Sequence, residues 1–239
     1  MYGLGLIALA LICFAWATFD PGQPVPKIIP ERTAFAYGAA AFMLGAGAAV
    51  QWRRTAARAG AALAVYFGVI VVLLLNGRVV LAHPLEYGAW DGAAEQLAIA
   101  AGALLIYAVH AGIDDALALR LTRLGQIVFG LCAVLFGGAH FVYLNLTASL
   151  VPSWLPPGQS FWAYATGSAQ IAAGLALVSG IQARLAALLL TILYASFTPL
   201  VHVPLLLSQP ADHYVWSENA LNLLLTGAAW VVADSLSSR

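Results

Sequence analysis

Long apolar runs broken by short polar stretches set the pattern of this chain. Met1 to Phe19, Thr33 to Val50 and Ile127 to Leu144 contain no charged residue. About 20 apolar residues span a bilayer core as a helix. Only helices and closed barrels satisfy every backbone group there. These runs are too long, and too rich in Ala and Leu, for barrel strands. The pattern predicts eight helices, at about 3–19, 33–51, 56–81, 91–111, 124–145, 160–178, 183–207 and 217–233. The breaks carry the expected punctuation. Pro21, Pro24, Pro26 and Pro30 follow the first run, Arg53-Arg54 the second, and His83-Pro84 with Glu86 the third. Asp114, Asp115, Arg120 and Arg123 form a charged connector, and Val151 to Pro157 a proline-rich loop.

The two halves read as copies. Pro26 pairs with Pro152, Pro30 with Pro156, Arg58 with Arg184, Pro84 with Pro210, Glu86 with Asp212 and Trp90 with Trp216, each 126 residues apart. The expected fold is an all-α polytopic membrane protein: eight transmembrane helices as two parallel four-helix repeats, residues 1–118 and 119–239. An even number of helices per copy relates the copies by a pseudo-two-fold axis along the membrane normal.

Composition agrees with this picture. The chain is 62% hydrophobic and 8% charged, against about 25% charged for a soluble domain. Zero net charge and the lack of a basic patch exclude nucleic acid as a partner. Arg53, Arg54, Arg58, Arg120, Arg123, Arg184 and Arg239 fall on one side of the predicted helices, and Lys27, Arg32 and Arg78 on the other. By the positive-inside rule both termini are cytoplasmic. The first run lacks a basic leader and is long, so we expect it to remain as a helix although Ala15-Trp16-Ala17 imitates a cleavage site. Cys13 and Cys132 sit in apolar runs outside any C-x-x-C motif and read as buried structural residues.

Phe136 to Gln170 reads FGGAHFVYLNLTASLVPSWLPPGQSFWAYATGSAQ. A helix carrying Gly137-Gly138 and His140-Phe141 runs into a loop with Pro152-Ser-Trp154-Leu-Pro156, followed by a helix with Tyr164 and Thr166-Gly167. This resembles the DoxX-like family of small bacterial membrane proteins, and the match extends over residues 121 to 235. The resemblance implies a membrane subunit of quinone-coupled oxidation that receives electrons from a soluble or peripheral partner. Relatives often carry Glu at the position of Gln170, whose amide does not ionise.

Polar side chains inside a membrane are costly and mark functional candidates. His140, Gln170, His202, and Glu218 with Asn222 one turn deeper, fall at similar or adjoining depth on four helices of the second half. At a spacing of 126 their first-half counterparts are Phe14, Leu44, Asn76, Gly92 and Gln96. This places the site in the second half, with the first as scaffold. His140 and His202 are the candidate catalytic, proton-passing residues. Gln170, Glu218, Asn222 and Trp154 of the proline-rich loop are the candidate ligand-binding residues. Pro199 and Pro204 loosen the helix around His202 and free nearby carbonyls.

Two bland readings stand beside these. His140 bonding a backbone carbonyl and Glu218 capping its helix would both be structural. Two histidines on separate helices could also ligate haem, whereas no multi-cysteine or other metal motif is present. A pocket would leave roughly 300 Å³ or more, and a structural network would leave none. The first functional reading is therefore a quinone-linked redox subunit. The second is a non-catalytic assembly factor, or a binder or carrier of a small lipophilic molecule.

Overall fold

The computed structural model describes residues 1–237, so Arg239 of the charge comparison lies outside it. The described chain is all-helical, with no strand. Its helices are α1 (Tyr2–Trp16), α2 (Arg32–Ala49), α3 (Arg53–Ala82), α4 (Tyr87–His110), α5 (Asp115–Val142), the short α6 (Leu144–Leu150), α7 (Gln159–Ser179), α8 (Ala183–Ser208) and α9 (His213–Ser235). Among the described residues α3, α4, α5, α7 and α8 are long and apolar enough to cross a membrane; α1 is apolar but shorter. Large apolar side chains such as Leu73, Leu74, Leu81 and Ile192 stand exposed on the outside of the bundle. That is the surface a bilayer would cover.

Two expectations need correction. The charged connector is not a loop: α5 begins at Asp115, nine residues before the expected start. Asp114 caps it by accepting from the backbone N–H groups of Ala116 and Leu117, and no Gly or Pro interrupts the Ala/Leu-rich turns beyond. Arg123, on the third turn, donates to the carbonyls of Leu177 and Val178 and closes the C-terminus of α7. The loop after α5 also contains a helix, α6, held by Thr147 Oγ1 against the carbonyls of His140, Tyr143 and Leu144.

α4 and α9 pack together at the centre, with α1 laid on α9 and α5 on α4; α2 covers α1, α7 covers α5, α3 covers α4 and α8 covers α9. Connections 17–31, 83–86, 143–158 and 209–212 lie at one end, hereafter the loop end. There Trp16 stacks on His213 at 5.4 Å, Asn76 Nδ2 donates to Gly22 O, and the Gly88 N–H donates to the Tyr143 hydroxyl. The shorter turns lie at the other end. Three loop-end prolines are tied to the helix that follows: Trp90, Trp162 and Trp216 donate to the carbonyls of Pro84, Pro156 and Pro210, each over 2.9–3.0 Å.

In lipid the hydrophobic effect does little to bring helices together, and small residues allow the close approach that dispersion needs. α5 and α7 make the most extensive contact of the bundle. It is built on two glycine pairs. A Cβ at Gly130 would meet Gly174 O at 2.8 Å, and one at Gly137 would meet Gly167 O at 2.5 Å. Gly47, Gly102 and Gly227 serve similar contacts elsewhere. Gly45, by contrast, faces open space.

Helices α3 and α8 each contain a π-helical stretch near the loop end, Tyr66–Asn76 and Thr198–His202. Such stretches leave carbonyls for other donors. Asn76 Nδ2 takes up Val71 O, and Asn222 Nδ2 takes up Tyr194 O, one turn before Pro199. The expected loosening of the helix around His202 is therefore a local change of winding.

The glycine seam gives a direct test. Gly137→Ala is expected to lower unfolding free energy by about 1–3 kcal/mol, read as a fall in the thermal midpoint in detergent. Gly45→Ala should stay within about 0.5 kcal/mol of the parent. Equal effects would show that the seam is not where the bundle is tight.

Candidate functional site

His140 lies in the last turn of α5, where the glycine seam brings α7 against it. A Cβ at Gly167 would sit 2.7 Å from that of His140. With the backbones this close, both ring nitrogens find partners on α7. Nδ1 is 3.2 Å from Thr166 Oγ1, and Nε2 is 3.0 Å from Gln170 Nε2. The Thr166 hydroxyl donates to Trp162 O at 2.7 Å, so its oxygen accepts from His140 Nδ1–H. His140 Nε2 then accepts from the Gln170 amide. Gln170 Oε1 in turn accepts from the Tyr194 hydroxyl at 3.4 Å. This bond pattern assigns His140 the neutral Nδ1–H tautomer.

Asn222 extends the same framework to α9. Its amide donates to Tyr194 O at 3.0 Å and to Thr198 Oγ1 at 2.9 Å. Gln170 and Asn222 are buried, at 2% and 6% exposure; Gln170 is engaged at both ends of its amide and Asn222 through two bonds donated by Nδ2. The backbone carbonyl of Ala163 on α7 also approaches the His140 ring, as the bland reading expected, beside the side-chain contacts at both nitrogens.

A cavity of about 230 Å³ opens beside this framework. His140, Gln170, His202, Glu218 and Asn222 all line it, with Tyr194, Phe136 and Phe197 among its walls. Thr147 and Leu150 of α6 also line it. It is smaller than the 300 Å³ expected, because these aromatic and leucine side chains fill the centre of the four-helix unit. His202 comes from the π-helical stretch of α8, and its ring makes no hydrogen bond among the described residues. The two histidines thus differ: His140 is held in place and His202 is free to meet a ligand.

Trp154 does not join them. It is 70% exposed on the loop and borders a separate depression of about 470 Å³ with Pro199, Leu200 and Pro204. The loop instead lays Trp154 beside Ser153 and Gln159 over the loop-end turns of α8, away from the residues around His140.

Two residues the sequence reasoning passed over also face the cavity: Asp91 and Glu95, one turn apart on α4. Both belong to the first half, so that half supplies more than scaffold. Tyr87, donating to Leu135 O at 2.7 Å, fixes the start of α4 against α5 and sets their position. An ionisable residue within an apolar helix was the available signal; comparing only equivalent positions of the two halves hid it. Glu95, Glu218 and Asp91 interact electrostatically. The one ion pair among the described residues, His83–Glu86, lies elsewhere. Three carboxyl groups without a Lys or Arg counter-ion give this cavity the means to hold and release protons. No group of three or more His, Cys, Asp or Glu among the described residues could hold a metal ion. Haem does not fit either: a porphyrin exceeds 230 Å³, and both His140 nitrogens are bonded.

Gln170→Leu would strand His140 Nε2 and the Tyr194 hydroxyl. A loss of about 1–3 kcal/mol in unfolding free energy is expected, seen as a lower thermal midpoint. Histidine-selective ¹⁵N NMR of the parent should place the proton of neutral His140, identified by its loss in His140→Ala, on Nδ1, and that signal should change in the Gln170→Leu variant; His110 Nδ1, which donates to Ile106 O, gives a separate signal that should not change. A mixed tautomer in the parent would contradict the network.

Residues 129–233 match a family model described as Domain of unknown function (DUF8561). His140, Gln170, His202, Glu218 and Asn222 fall inside the match, whereas Asp91 and Glu95 fall outside it. No curated protein and no solved structure matches the chain.

Proposed function

We propose that this is a DoxX-like integral membrane protein that binds the ring of a quinol or quinone in the 230 Å³ cavity and exchanges protons with it. One observation carries the reading: a free imidazole, His202, shares a small cavity with three carboxyl groups and a neutral amide–imidazole framework. A quinol offers hydroxyl donors to His202 and to a carboxylate, and a quinone offers carbonyl acceptors to their protonated forms. The volume suits a single ring and leaves an isoprenoid tail outside, toward lipid. Electrons would pass to or from a redox group on a peripheral partner protein.

The proposed setting is a bacterial inner membrane, crossed eight times by α1–α5 and α7–α9, with both termini cytoplasmic. Six arginines, Arg53, Arg54, Arg58, Arg120, Arg123 and Arg184, stand toward the end opposite the loops, which supports that orientation. The chain would be a parallel duplication, residues 1–118 and 119–239. The Pro84–Trp90 bond recurs at Pro210–Trp216, a spacing of 126. The Gly3–Gly47 contact recurs as Gly130–Gly174, a spacing of 127. The packed helix positions Gly3, Cys13, Met43 and Phe67 would follow 127, whereas Pro26, Pro30 and Arg58, and the residues after the π-helical stretches, follow 126. Cys13, Met43 and Phe67, all buried, then stand where the second half has His140, Gln170 and Tyr194. On this reading Cys13 and Met43 replace the Phe14 and Leu44 of a uniform spacing.

A non-catalytic binder or carrier of a small lipophilic molecule is the second reading. The apolar wall of Phe136, Phe197, Leu221 and Leu225 favours it, because such a wall would hold an apolar ring without any electron transfer.

Purification in mild detergent with lipid mass spectrometry tests the ligand. Quinone should co-purify, and His202→Ala should lower its retention roughly tenfold; retention unchanged by that substitution would reject the cavity as its site. Cysteines placed at Ile28 and Ser153, both exposed at the loop end, should react with an impermeant thiol reagent from outside, and one at Thr55 should not. The native Cys13 and Cys132, each 1% exposed, should stay silent. Labelling of Thr55 together with Ile28 would break the topology.

A further inference from the structure

Six buried side-chain polar atoms lack a hydrogen-bond partner among the described residues, and five of them lie in one layer. They are Asp91 Oδ1, both amide atoms of Gln96, His213 Nε2 and Ser217 Oγ, on the loop-end turns of α4 and α9. Gln96 is fully buried and Ser217 is 2% exposed. Buried polar groups in folded proteins are almost always satisfied, by protein or by bound water. A concentration of unpaired donors and acceptors between two packed helices therefore marks a place where water is held.

Asp20 adjoins this layer from the α1–α2 loop. It is 2% exposed, and its Oδ2 accepts from the Gly22 N–H at 3.0 Å. A Cβ at Gly22 would run into Gln96 Nε2 and approach Asp20 Oδ2 to 2.9 Å, so the amide and the carboxylate face each other across that glycine. Ser217 Oγ approaches Asp20 without reaching hydrogen-bond geometry. On its other side the layer meets the cavity, through Asp91 and through Glu218, one residue after Ser217. Asp20, Glu218, Glu95 and Asp91 interact electrostatically. The titratable groups facing Glu95 and Glu218 are Asp20 from the loop, Asp91 from α4, Tyr214 from α9, and, around the cavity, His140, Tyr194 and His202. No Lys or Arg is among them.

We propose that Asp20, Gln96 and Ser217 form a water-lined proton inlet, distinct from the ligand cavity, that joins the loop end of the bundle to Glu218. Asp20 takes a proton from solvent, its O–H bond breaks as it passes that proton to bound water, and water delivers a proton to the Glu218 carboxylate; the reverse sequence returns one to solvent, and no electron moves. Gln96 and Ser217 do not titrate. They hold the water in register, the amide through a donor and an acceptor and the hydroxyl through either. Burial pushes the Asp20 carboxyl up to about 6 from its ordinary 3.8, against the Gly22 N–H that holds it down. Asp20 therefore changes charge close to neutral pH, as a relay at the mouth requires. The assignment of Glu218 as a group that serves a ligand rests on the quinol reading; the inlet itself does not.

The test follows protons rather than ligand. The purified full chain in nanodiscs is stepped across pH of about 6, and the buried carboxylic-acid carbonyl stretch is followed by rapid-mixing infrared spectroscopy in H₂O and D₂O. In the parent this band should follow the step promptly. Asp20→Asn and Ser217→Ala should each slow the band of the remaining carboxyls roughly tenfold or more, with the thermal midpoint within a few degrees of the parent. A response as fast as the parent's in both variants overturns the inlet. Quinone retention measured on the same samples separates the two claims: a parent that retains no quinone but shows slowed variants rejects the quinol reading and upholds the inlet.

Discussion

The closeness of α5 to α7 governs the candidate site. Where Gly130 and Gly137 meet Gly174 and Gly167, the two backbones nearly touch. A membrane gives little hydrophobic reward for this contact, so it depends on small residues and dispersion. Its consequence is chemical. Only at this separation can His140 reach Thr166 with one nitrogen and Gln170 with the other. Gln170 then positions Tyr194, and Asn222 binds the Tyr194 carbonyl that the altered winding of α8 exposes. A packing feature of two helices thus fixes a polar framework across four.

Most of that framework is engaged, which decides what it can do. Both His140 nitrogens, both ends of the Gln170 amide and the Asn222 Nδ2 are bonded, to one another or to Thr166, Tyr194 and Thr198, and they form one fixed wall. The groups left to act are His202, Asp91, Glu95 and Glu218, which come from α4, α8 and α9. The site therefore combines a fixed side, built by the glycine seam, with a protonatable side, built where the first and second halves meet. A rigid wall beside exchangeable protons is the arrangement that ring recognition with proton transfer needs.

Much of the fold was legible in the sequence because apolar length and turn residues act locally. The helices fall within a few residues of their expected places, apart from the start of α5 and the additional α6. The convergence of His140, Gln170, His202, Glu218 and Asn222 could also be read, since side chains at matching depth on adjacent helices have few places to go. What could not be read depended on rotation and contact between helices. Nothing in the order of residues said that α4 would turn Asp91 and Glu95 toward the second half. Likewise, nothing said that Trp154 would stand away from the cavity, or that both nitrogens of His140 would be occupied. The spacing of the two halves shows the same limit. Under the proposed duplication, a count of 126 pairs the prolines and tryptophans, whereas the buried Cys13, Met43 and Phe67 pair with His140, Gln170 and Tyr194 only at 127.

The central claim is that the cavity between His202 and Glu218 receives the ring of the ligand. Photolabelling with a photoreactive quinone analogue, followed by peptide mapping, tests it most directly. The account predicts label on residues 197–202 of α8 and 218–225 of α9, lost on competition with unlabelled quinone. Label confined to the apolar lateral depression of about 450 Å³ between α2 and α3, around Phe35, Phe42 and Tyr66, or to the loop around Trp154, would contradict it.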